Sequence, residues 1–63
     1  MSKIITVPVT ISEEEAWALA QFVKRVGWSE MRQNAQDEEE AYLIRSGIVA
    51  VQTAFAAAGF SPR

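Results

Sequence analysis

Two runs of carboxylates hold most of the acidic side chains of this sequence: Glu13-Glu14-Glu15 and Asp37-Glu38-Glu39-Glu40. Clustered carboxylates can ligate a hard cation, act as paired acid and base, or imitate the phosphates of a nucleic acid. A calcium loop needs ligands at alternating positions around a central glycine, and neither run provides them. Each run instead follows or includes a capping residue, Ser12 or Asp37, which places its charges on the first turn of a helix, where they complement the macrodipole. The chain has no cysteine and no histidine. Thiolate ligands, the commonest zinc ligand and the commonest general base are therefore missing. No glycine-rich phosphate loop is present, and Ser and Thr have no base beyond Asp and Glu to activate them. An enzyme is not expected. No catalytic, cofactor-binding or metal-binding residue is assigned, and no cofactor is expected.

Positioning any functional side chain is itself a problem for 63 residues with a net charge of -2, a pI of 4.9 and 49% hydrophobic residues. A domain of this size buries only ~60% of the surface its unfolded chain exposes. With no disulfide or metal to staple it, self-association is the cheapest way to enlarge the core. Thr6, Pro8 and Thr10 interrupt the apolar run near Met1, so no secretory signal is read there. No stretch approaches the ~20 apolar residues of a membrane span. The expectation is a cytosolic protein with no membrane contact.

Residues 3–11 alternate and are rich in β-branched side chains, which predicts a strand with Ile5, Val7, Val9 and Ile11 on one face. Pro8 restricts it to an edge or a two-stranded ribbon. Because the chain contains only one such segment, the strand is expected to pair with its copy in a second subunit. Ser12 and Glu15 form a capping box that opens a helix over 12–27. Its apolar face comprises Ala16, Leu19, Ala20, Phe22, Val23 and Val26, and Gly27 is its expected stop. A polar connecting segment follows over 28–36, as a loop or a short helical turn. Asp37 and Glu40 repeat the capping device at the start of a helix over 37–58, whose core stripe is Ala41, Ile44, Ile48, Val51, Phe55 and Ala58. Gly59 and Phe60 fit a Schellman stop. Gly47, unfavourable inside a helix, implies a close crossing by another element. The predicted fold is one α+β domain, 1–63, dimerising through an antiparallel ribbon and helix packing in a ribbon-helix-helix-like topology.

Trp17 and Trp28 lie roughly three turns apart and off the Leu19/Val23 stripe, beside Gln21 and Lys24. Tyr42, Val49 and Ala56 form a second seam. Aromatic side chains with a polar handle outside the core stripe are typical of interfaces. The partner-binding residues are assigned as Trp17, Gln21, Lys24, Trp28, Arg32 and Tyr42, and the dimer residues as Ile5, Val7, Val9, Ile48 and Val49.

Strand-helix-helix in a dimer is the plan of ribbon-helix-helix DNA-binding regulators, and residues 3–58 resemble it. The chain departs from that family in three ways. Its solvent-side strand residues Ile4, Thr6, Pro8 and Thr10 offer almost no bidentate base contact. Its connecting segment is long, and Asp37–Glu40 would repel phosphate. With a net charge of -2 the counterion-release term is weak, so nucleic acid is not the expected partner.

The run from Ile5 to Phe22, continuing to Gly27-Trp28, resembles small early-region proteins of temperate bacteriophages. Within that group it is similar to quorum-sensing anti-activators. The resemblance implies a homodimer that binds and blocks a host protein, specifically a transcriptional regulator of the acyl-homoserine-lactone class. The alternatives are a ribbon-helix-helix DNA-binding regulator and an anti-CRISPR protein.

Overall fold

The computed structural model describes residues 3–62. They form three helices in the order α1, Glu13–Arg25; α2, Trp28–Gln33; and α3, Glu38–Ala57. No strand is present among the described residues, which corrects the α+β expectation. Residues 3–11, and with them Ile5, Val7 and Val9, form no strand, and none of their backbone groups joins the hydrogen bonds found outside the helices. Alternating β-branched residues favour the extended conformation locally. A strand also requires a second backbone to receive its hydrogen bonds, and among the described residues there is none. The described structure therefore contains no ribbon, and the ribbon-helix-helix topology goes with it.

Local signals set the helix ends. The Glu15 backbone N–H donates to Ser12 Oγ at 3.0 Å, and the Ser12 N–H donates to Glu15 Oε1 at 2.8 Å, completing the capping box of α1. At α3 only half of the device forms as expected. The Glu40 N–H donates to Asp37 Oδ1 at 2.8 Å, while the Glu40 carboxylate reaches one residue further back, to the Gln36 N–H at 3.0 Å. The α3 helix ends in a Schellman turn. The Phe60 N–H donates to the Phe55 carbonyl at 2.8 Å, the Gly59 N–H donates to Ala56 at 3.0 Å, and Gly59 has a φ of 97°, favoured for glycine.

Gly27 is not a left-handed stop. Val26 caps α1, and Gly27, with a φ of -104°, is the N-cap of α2. Its N–H donates to Glu30 Oε1 at 2.9 Å. That hydrogen bond organises Trp28–Gln33 as a helix within the segment expected to connect the two long ones.

Both α1 and α2 pack on α3. Among the described residues the core consists of Ala16, Ala20 and Val23 from α1, Met31 from α2 and Ala41 from α3, and no large side chain is fully buried. The principal extents are 33 × 27 × 16 Å.

Candidate interaction surface

The two tryptophans belong to different clusters. Trp28 lies outside α1, so the pair does not share one helical face. The Trp17 ring meets Phe60 edge to face with centroids 5.0 Å apart, which brings the second turn of α1 against the residues that follow α3. Lys24 secures the same segment, its Nζ donating to the Pro62 carbonyl at 3.0 Å. Gln52 Nε2 donates to the Val23 carbonyl at 2.6 Å and ties the body of α3 to α1. A shallow cavity of about 380 Å³ lies here, lined in part by Lys24, Phe55 and Phe60.

Trp28 instead packs on Tyr42, with centroids 4.8 Å apart and ring planes inclined by 42°, and so links the start of α2 to the start of α3. Both tryptophans retain about two-fifths of their accessible surface, 40% for Trp17 and 39% for Trp28. Each ring thus holds elements of its own chain together and presents one side to solvent. Arg32 is exposed on α2.

A second concavity, about 610 Å³, opens between α1, α2 and α3. Phe22, Val26, Met31, Ile44 and Ile48 give it an apolar lining, and Gln21, Arg25, Glu30 and Asn34 add polar groups. An apolar centre with polar groups around it is the usual anatomy of a protein-binding surface. Two of the polar groups are held in place. Glu30 accepts from the Gly27 N–H, and Asn34 Nδ2 donates to the Glu30 carbonyl at 2.8 Å. Of the assigned partner residues only Gln21 lines this groove, and of the assigned dimer residues only Ile48 does. Val49, next to Ile48 in the chain, is exposed.

Phe22, expected in the core stripe of α1, is 60% exposed. Periodicity places an apolar residue on a broad face, but it does not say how much of that face a neighbour covers. The Glu30 carboxylate three residues after Gly27 is the available sign that residues 28–33 are helical and can build one wall of the groove.

The acidic runs sit where the capping argument puts them, on the first turns of α1 and α3. The Ser12 backbone N–H, and secondarily the Ser12 side chain, hold the Glu15 carboxyl below its usual range, against a weaker opposing effect of desolvation. No group of three or more acidic side chains among the described residues is arranged to hold a metal ion. No helix among them is long and apolar enough to cross a membrane.

The chain matches, over residues 1–63, the family described as a family of unknown function, DUF7706, and belongs to it. No curated protein and no solved structure matches it.

Proposed function

We propose that this DUF7706 chain is a non-enzymatic protein-interaction module that works as a homodimer and acts by covering a functional face of another protein. The observation that carries this reading is the groove between the helices, where Phe22, Val26 and Ile44 stand among Gln21, Arg25 and Asn34. Such a lining offers area and hydrogen bonds to a protein surface and contains no nucleophile–base pair to perform a reaction. The narrower form makes the partner a host transcriptional regulator and the chain a phage-borne inhibitor. Its support is the resemblance of residues 5–28, to which the family match adds nothing. Against the DNA-binding alternative stand the net charge of -2 and the acidic run Asp37–Glu40 at the start of α3, which would repel phosphate.

Two measurements test the two levels. The full chain is titrated into a purified acyl-homoserine-lactone-class regulator bound to its operator. Release of the operator with formation of a complex is the expected result, and neither release nor complex overturns the narrower form. For the broader form, the chain and its Phe22→Ser variant are used as paired baits in a bacterial lysate. A stoichiometric partner retained by the first and lost by the second is expected, and identical captures from both overturn the groove as the binding surface.

A further inference from the structure

We draw no further inference here: the strongest candidate, the exposed apolar segment of residues 3–11 that precedes α1, leaves Ile4, Ile5, Val7 and Val9 in solvent, and nothing in the structure shows what covers it.

Discussion

The two long helices of this molecule solve the same problem to different extents. Helix α1 is amphipathic in the ordinary way. Ala16, Ala20 and Val23 are buried at steps of four and three, a complete capping box starts the helix, and Lys24 and Arg25 lie in its last turn. Helix α3 is half as long again but buries only Ala41, has no basic residue in its last turn, and leaves Leu43, Val49 and Val51 in solvent. Neither helix is completed by its own chain, since α1 also leaves Leu19 and Phe22 exposed, but α1 buries three residues over 13 positions where α3 buries one over 20. The groove and the side of α3 that carries Leu43 and Val51 are both apolar surfaces that the described residues leave uncovered.

The comparison breaks most clearly if charge is placed on each helix. On α1, Ala20→Glu is expected to destabilise the protein by about 3 kcal/mol, since it would bury an unpaired charge against α3. Ala54→Glu, on the exposed side of α3, is expected to change it by less than about 0.5 kcal/mol. Chemical denaturation of the two variants decides the matter, and equal effects would mean that another molecule covers the Ala54 side.

Aromatic truncation is the next largest effect. Trp17→Ala removes the edge contact with Phe60 and should cost about 2 kcal/mol, from lost apolar area and the ring pair together. Trp28→Ala should cost a similar amount through the loss of its contact with Tyr42. Affinity for a partner and dimer mass should be measured on the same folded variants. Lost affinity with an intact dimer assigns the solvent side of that ring to the partner, and a lost dimer assigns it to self-association.

Capping separates the helix starts more finely. Ser12→Ala and Asp37→Ala should each cost ~1 kcal/mol, read from thermal unfolding. Glu15→Gln should weaken α1 more than Glu40→Gln weakens α3, because the Glu40 carboxylate does not close the box on its own N-cap.

The smallest expected effect is that of pH. The folded-state pKa of Glu15 is lowered by its Ser12 hydrogen bonds. Its contribution is therefore fully present above the unfolded-state pKa and disappears as pH falls through the lower folded-state value. The melting temperature of the unaltered chain should fall more steeply across that acidic interval than that of Glu15→Gln. Parallel curves would remove Glu15 from the stability of α1.

Signals that act within a few residues are legible in the sequence. Ser12 with Glu15, Asp37 with Glu40, and Gly59 with Phe60 locate helix ends through hydrogen bonds closed over three to five residues. Such bonds form wherever the chain goes next. The groove is only partly legible. Gln21 and Ile48 stand out in the sequence, but Phe22 and Val26 resemble core residues there, because an apolar stripe looks the same whether or not a neighbour covers it.

The sequence by itself determined two capped long helices, the lack of cysteine and histidine chemistry, and the placement of acidic runs on first turns. Only the tertiary structure decided that residues 3–11 lack a β partner among the described residues, that Trp17 and Trp28 join separate clusters, and that the outer face of α3 stays open. The physical reason is the range of the interactions. Caps and turns close within one helical turn, whereas a strand pair, an aromatic contact across 43 residues such as Trp17 with Phe60, or a buried face requires a surface brought from elsewhere.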